Sequence, residues 1–218
     1  MWNQNAGTYA SLSGSFPLGG TQIYDSTYYD TAYGDFTYEV ELTRTGCDTC
    51  SNTVFVRGVP SPYHDAFQRW DTGYVFSIAR TGRFGAWLLK GNTVTTLQAW
   101  VAPAALTVIN TASGAINRLR VVSRGTRLEF YINYNASTNP NPVFVITNAQ
   151  ALGGRTGAGA TRLGTTTLTD AIRLNRATLL PPASAGGANR QPSATQQTLN
   201  AVANRKTPKA DPLQAPIR

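Results

Sequence analysis

From Phe36 to Leu180 apolar and polar residues alternate at a period of two, in short runs separated by turn residues. Side chains on a strand point alternately to opposite faces, so this pattern predicts half-buried β-strands. In Phe36-Thr-Tyr-Glu-Val-Glu-Leu42, the residues Phe36, Tyr38, Val40 and Leu42 share one face, and Thr37, Glu39 and Glu41 share the other. Further strands are predicted at Val54–Arg57, Tyr74–Ile78, Phe84–Leu89, Thr93–Trp100, Leu119–Val122, Leu128–Ile132, Val143–Ile146 and Ala171–Leu174. Turns fall at Thr81-Gly82, Gly91-Asn92 and Ser123-Arg-Gly-Thr126, the last two reading as hairpins. Turn signals recur at a spacing of about ten residues, which suits a sandwich or barrel. No segment of this span carries an apolar period of 3.6 residues. The expected core contains Phe36, Tyr38, Val40, Tyr74, Phe76, Leu128, Phe130 and Ile132.

The pattern ends at Leu180, where Pro181-Pro182 blocks a continuing strand. Residues 183–218 hold no aromatic residue and only Leu199, Val202, Leu213 and Ile217 as larger aliphatics. Such a segment buries too little apolar surface to offset its ordering entropy. The sequence therefore divides into a sandwich over 1–180 and an extended basic tail over 181–218. The tail is expected to strap onto another protein subunit. Leu199, Val202, Leu213 and Ile217 would anchor it, and Arg190, Arg205, Lys206 and Lys209 would meet an acidic surface.

Composition adds to this picture in two ways. The 218 residues carry a net charge of +8 with 41% hydrophobic residues, enough for one sizeable core. Residues 1–50 have one base, Arg44, against six acids, and the positive charge lies beyond them. A basic chain invites a nucleic-acid reading. Here the bases are mostly scattered singly, with no Lys/Arg run longer than two, so nucleic acid is disfavoured. An acidic cell surface or polymer fits the charge equally well. No apolar run approaches the ~18 residues of a transmembrane helix. Met1 to Tyr9 is polar and lacks the apolar core of a signal peptide; either a leader has been removed or export follows another route.

The run Phe36–Arg44, then Thr45-Gly-Cys-Asp-Thr-Cys50 and Phe55-Val-Arg-Gly58, resembles laminin-G-like jelly-roll domains of secreted bacterial proteins, within the concanavalin A-like lectin/glucanase superfamily. Gly73-Tyr-Val-Phe76, Asn117–Val122, Leu128–Asn133 and the closing Asp170–Thr178 extend the likeness over residues 9–180. The resemblance implies an all-β, two-sheet antiparallel jelly-roll sandwich. It implies little about activity, because the superfamily holds lectins, glycan hydrolases, adhesion modules and scaffolds. One departure stands out: the turn after Asn133, usually tight, carries the insert Tyr134–Pro142 and so lengthens a rim loop.

Several groups of residues offer chemistry. Glu39 and Glu41 lie ~6.5–7 Å apart on one strand face, near the separation of an inverting glycosidase pair. Related glucanases carry Glu-x-Asp-x-x-Glu on such a strand, whereas this chain has Arg44 at the third acid. The bland alternative is a pair of solvated charges partly neutralised by Arg57 or Arg44. Tyr24, Tyr28, Tyr29 and Tyr33 crowd an apparently irregular segment with Asp25, Asp30 and Asp35. Aromatic faces beside carboxylates suit sugar rings, and the oxygens would also suit a structural calcium ion. The alternative is a tyrosine-rich edge packed on its own sandwich. Trp70, Trp87 and Trp100 read as packing residues.

Cys47-x-x-Cys50 lies between strands and has only His64 as an extra metal ligand, so a local disulfide or two packed thiols is favoured over zinc or redox chemistry. An exported protein favours the disulfide. His64 lies in a proline-bounded loop without a nucleophile motif to serve. Gly153–Gly159 lacks the Lys-Ser/Thr of a phosphate loop, and Asn135-Ala-Ser137 is a formal glycosylation sequon. These observations lead to a non-catalytic, lectin-like module at a cell or particle exterior, contacting glycan or protein through Tyr24, Tyr28, Tyr29, Tyr33, Glu39, Glu41 and Arg57. A tail-anchored structural subunit is the alternative from another class, and a glycoside-cleaving enzyme is the weaker one. No cofactor is required.

Overall fold

The computed structural model describes residues 2–5, 8–12, 21–29, 32–60, 70–91, 93–103, 109–150, 154–164 and 171–180. The expected tail anchors (Arg190, Leu199, Val202, Arg205, Lys206, Lys209, Leu213, Ile217), His64 and Asp30 lie outside these residues, as do the side chains of Tyr24 and Asp25. Thirteen strands are described: β1 (Trp2–Asn5), β2 (Thr8–Leu12), β3 (Thr21–Tyr29), β4 (Phe36–Thr45), β5 (Ser51–Val59), β6 (Thr72–Ala79), β7 (Arg83–Lys90), β8 (Thr93–Val101), β9 (Ile116–Arg124), β10 (Arg127–Ile132), β11 (Phe144–Ile146), β12 (Arg155–Gly164) and β13 (Ala171–Leu180). No helix occurs among the described residues, and so none long and apolar enough to cross a membrane.

The strands form two antiparallel sheets packed as a sandwich. One has seven strands in the order β1-β2-β13-β4-β9-β10-β11, the other six in the order β3-β12-β5-β6-β7-β8. The inward face of β4 follows the alternation strictly: Phe36, Tyr38, Val40 and Leu42 are buried, and the residues between them are half-buried. They meet Val54, Val56, Tyr74, Phe76 and Ile78 from the six-stranded sheet and Leu128, Phe130 and Ile132 from β10 in one core. Phe76 and Phe130 join the two sheets with ring centroids 4.9 Å apart. All eight expected core residues are in place. The β9–β10 hairpin closes through Gly125-Thr126, with Arg124 opposite Arg127 and Gly125 at φ 52°. That left-handed conformation costs glycine nothing.

One segment differs from expectation, and another forms a strand where none was predicted. The tyrosine-rich stretch is not irregular: Thr21–Tyr29 is an edge strand paired along its length with β12. In the glycine-rich region Arg155–Gly164 is the strand between β3 and β5. Its inward Ala158 and Ala160 are buried in the core. Outward, Gly157 is flanked across the sheet by Tyr28 and Phe55. Glycine weakens an isolated strand; here large aromatic neighbours cover the positions that have no side chain.

Candidate functional site

The two outer faces of the sandwich differ in chemistry, and this separates the candidate residues. On the six-stranded sheet, Phe55, Trp70, Val75, Trp87 and Leu89 form a second apolar cluster, flanked by Tyr28, Val94 and Trp100. Trp70 stacks on Phe55 with centroids 4.7 Å apart and donates its Nε1–H to Ser26 at 3.1 Å. A Cβ placed on Gly58 would lie 2.6 Å from the Trp70 ring, so the absent side chain makes room for the indole. Trp70 and Trp87 are buried and pack the sheet rather than face solvent.

The tyrosines do not gather into one site. Tyr28 points outward and meets Trp70 edge-on at 5.9 Å, with the Arg155 guanidinium 5.4 Å from its ring. Tyr29 points inward, meets Tyr38 edge-on at 6.0 Å and donates to the Ala177 carbonyl at 3.3 Å. Tyr33 packs against the main core. Burial, with Tyr29 beside it, pushes the Tyr38 hydroxyl well above its usual pKa. Among the described residues no group of three or more histidine, cysteine or acidic side chains is arranged to hold a metal ion.

Arg57 and Arg44 also leave the surface. Arg57 is buried at the seam between the sheets, where it donates to Ser123 Oγ and to the carbonyls of Gly34 and Gly125. Burial lowers its pKa, against the opposing pull of Asp35. Arg44 is buried and donates to the Ser51 carbonyl at 2.8 Å. Neither neutralises Glu39 and Glu41. That role falls to Arg118 on β9, whose Nη2 lies 2.6 Å from Glu41 Oε1 and whose Nε lies 3.5 Å from Glu39 Oε1. The hydrogen bond to Glu41 is the largest influence raising the Arg118 pKa. Cys47 and Cys50 are joined by a disulfide at the far end of β4.

The outer face of the seven-stranded sheet therefore brings Glu39 and Glu41 together with residues that the sequence reading passed over. Register sets Arg176 and Arg118 on either side of Glu41, and Thr178 and Arg120 on either side of Glu39. Arg120 lies opposite Tyr131 on β10. Its guanidinium sits 4.2 Å from the Tyr134 ring centre and 5.9 Å from that of Tyr131, and the two tyrosines meet edge-on at 5.3 Å. Tyr131 donates to Glu129 Oε2 at 2.7 Å, and Arg127 holds the other oxygen at 2.7 Å. Arg127 chiefly lowers the Glu129 pKa. Burial, then the bond to Glu129, pushes Tyr131 up to about 12.

Tyr134 opens the rim insert, and that insert is well pinned. Asn135 Oδ1 accepts from the amides of Ser137 and Thr138 at 2.9 and 3.1 Å, and Asn139 Nδ2 donates to the Ile132 carbonyl at 2.9 Å. Asn133, at φ 49°, turns the chain and accepts from the Arg118 amide at 2.7 Å. Chemically this face offers carboxylate acceptors, guanidinium donors and the half-buried Tyr134 ring, backed by the buried Tyr131, within a few strand spacings. Such a set can bond sugar hydroxyls and pack against a pyranose C–H face. The signal for Arg118, Arg120, Glu129 and Tyr131 lay in the outward parity of the same alternating strands whose inward parity identified the core.

No family model matches the sequence, and no curated protein matches it. Solved structures do. Carbohydrate binding module CBM66 from Bacillus subtilis aligns with a TM-score of 0.51 at 14% identity, over 78% of this chain and 91% of that one. The potassium-bound carbohydrate recognition domain of Emp46p aligns with a TM-score of 0.54 at 9% identity, over 82% and 85%. A legume lectin-like domain from Entamoeba histolytica aligns with a TM-score of 0.51 at 10% identity, over 84% and 87%. The chain has the concanavalin A-like lectin/glucanase fold.

Proposed function

We propose that this chain is a non-catalytic glycan-binding module that works at a cell or particle exterior, through the outer face of its seven-stranded sheet. The observation that carries this reading is the array of Glu39, Glu41, Arg118, Arg120, Tyr131 and Tyr134 on one face, with acceptors, donors and rings interleaved. The fold likeness to a carbohydrate binding module and a carbohydrate recognition domain supports it. Two features weigh against glycoside cleavage. The register of β4 on β9 is unbroken from Phe36 to Thr43, so position 44 turns to the opposite face from Glu39 and Glu41, and an arginine is buried there. The two carboxylates also share Arg118 as a common partner, whereas a hydrolase needs one acid kept protonated and one carboxylate free to act.

A glycan array followed by calorimetry tests this. Wild-type protein should bind at least one oligosaccharide, and Glu41→Ala should weaken that binding by about tenfold, the loss of one hydrogen bond to a charged group. Incubation with the bound glycan should release no reducing ends. Hydrolysis by the wild type that vanishes in Glu39→Gln or Glu41→Gln would reverse the assignment. The basic tail, residues 181–218, is proposed to mount the sandwich on a larger assembly.

A further inference from the structure

We infer that the glycan taken by this face is acidic, bearing sugar carboxylates, and that Arg120 receives one of them; the inference rests on the glycan-binding reading above. It follows from how the charges on the face are already committed. Arg118, Arg120 and Arg124 of β9, Arg127 of β10, and Arg173 and Arg176 of β13 share the outer face with Glu39, Glu41 and Glu129. Six guanidinium groups thus meet three carboxylates. Arg118 takes Glu39 and Glu41. Arg127 and the Tyr131 hydroxyl take both oxygens of Glu129. Although Arg120 lies directly across the ladder from Glu39, Glu39 pairs with Arg118 instead. Arg120, Arg124, Arg173 and Arg176 make no ion pair with any described residue.

Arg120 differs from the other three, which are exposed, in being built into place. It is half-buried, and its Nε is sealed from solvent without a hydrogen-bond partner. Its guanidinium is fixed against Tyr134 at 4.2 Å and beside Tyr131. A buried, unsatisfied donor on a charged group is costly, more so than for a neutral one. Nε is out of a ligand's reach, but the terminal nitrogens are not sealed in this way, and a carboxylate meeting them end-on would pair the charge in the bidentate geometry for which guanidinium is suited. Tyr134 is itself held by the asparagine-pinned insert, so the receptor is preorganised. The neighbouring carboxylates narrow the ligand class. A polyphosphate such as duplex DNA carries one charge per ~1.7 Å of axis and would bring phosphates against Glu39, Glu41 and Glu129. A uronic-acid polymer spaces single carboxylates between hydroxyls, which can donate to those same glutamates.

Calorimetric titration of the full chain decides this, with four probes: oligogalacturonate, the same oligomer methyl-esterified, a neutral cello-oligosaccharide and a short DNA duplex. The free acid should bind at least about tenfold more tightly than its ester. Arg120→Gln should remove that difference, and Arg83→Gln on β7 should leave it intact. Equal affinity for acid and ester would overturn the inference, as would undiminished acid binding by Arg120→Gln or equal binding of duplex DNA. If Arg120→Gln fails to fold, the acid–ester comparison on unaltered protein still decides. Tight binding of the ester or the neutral oligomer without preference for the acid sinks the acidic assignment alone. Failure to bind any oligosaccharide sinks the glycan reading along with it.

Discussion

Replacing Arg57 with methionine keeps an apolar stem but removes a guanidinium from the seam between the two sheets. Arg57 belongs to β5 of the six-stranded sheet, and its side chain is 1% exposed. It donates to Ser123 Oγ on β9 at 3.0 and 2.7 Å, to the Gly34 carbonyl at 3.2 and 2.9 Å, and to the Gly125 carbonyl at 2.5 Å, with Asp35 3.7 Å away. It thereby ties β5 to β9, to the loop before β4 and to the β9–β10 turn. Breaking a buried charged network by removing one partner costs ~3–5 kcal/mol. The lower end applies here for two reasons. Ser123 Oγ lies 2.6 Å from the Gly34 carbonyl and can keep it satisfied, and Asp35 is 43% exposed and can be hydrated. The backbone contributes no further difference, because methionine at φ 53° is as strained as arginine there. The expected loss is ~3 kcal/mol, equivalent to a fall in Tm of roughly 6–12 °C for a domain of this size. Equilibrium urea unfolding followed by tryptophan fluorescence measures it. A loss below ~1 kcal/mol would refute the view that Arg57 clasps the sheets and would free it for a surface role.

Phe130→Ala should cost ~3–5 kcal/mol, because Phe130 is fully buried and packs against both Phe76 and Phe144; a variant as stable as wild type in urea would contradict the core assignment. Spectrophotometric titration should find one tyrosine ionising near pH 12 that is missing from Tyr131→Phe. Since its pKa is raised on folding, the stability it contributes is complete below ~10 and is lost as pH rises toward 12, so wild type and Tyr131→Phe should converge in stability over that window. Parallel alkaline stability curves would refute this. Deleting residues 181–218 should leave the far-UV circular dichroism and Tm unchanged while abolishing assembly with partner subunits in sedimentation; an unfolded sandwich, or unchanged assembly, would count against the strap.

The strands that could be read from sequence were those with one face buried and the other solvated. Phe36 to Leu42 of β4 and Leu128 to Ile132 of β10 are apolar at every second residue, and Leu119 and Val121 of β9 match them; burial then fixes register, since a slip of one residue would turn the core outward. The strands that escaped notice lack that contrast. The glycines and alanines of β12 gain their burial from Tyr28 and Phe55 on neighbouring strands, a tertiary effect that no local window contains. The tyrosines of β3 looked like one cluster because they are close in sequence. Tyr28 and Tyr29 are adjacent, however, and adjacent strand residues face opposite ways. Arg57 looked exposed because arginine usually is. Its burial depends on Ser123 and Gly125, more than sixty residues away.

The same alternation explains why one outer face is a candidate binding surface and the other is not. On β5, β6 and β7 the outward residues Phe55, Val75, Trp87 and Leu89 are large and apolar, and with Trp70 they bury one another. That face spends its aromatic residues on packing. On β4, β9 and β10 the outward positions are Glu39, Glu41, Arg118, Arg120, Glu129 and Tyr131. Exposed salt bridges add little to stability, about 0–1 kcal/mol each, so a dense array of them is poorly explained as reinforcement of a sandwich that already has a continuous core. Such a surface does suit recognition, where charged groups select a partner more than they tighten its binding. The insert after Asn133 points the same way. A tight turn would close the hairpin end equally well, yet the chain builds an asparagine-pinned loop whose first residue, Tyr134, lies against Arg120. In the proposed receptor, Glu39 and Glu41 form one edge and the Arg120–Tyr134 contact the centre.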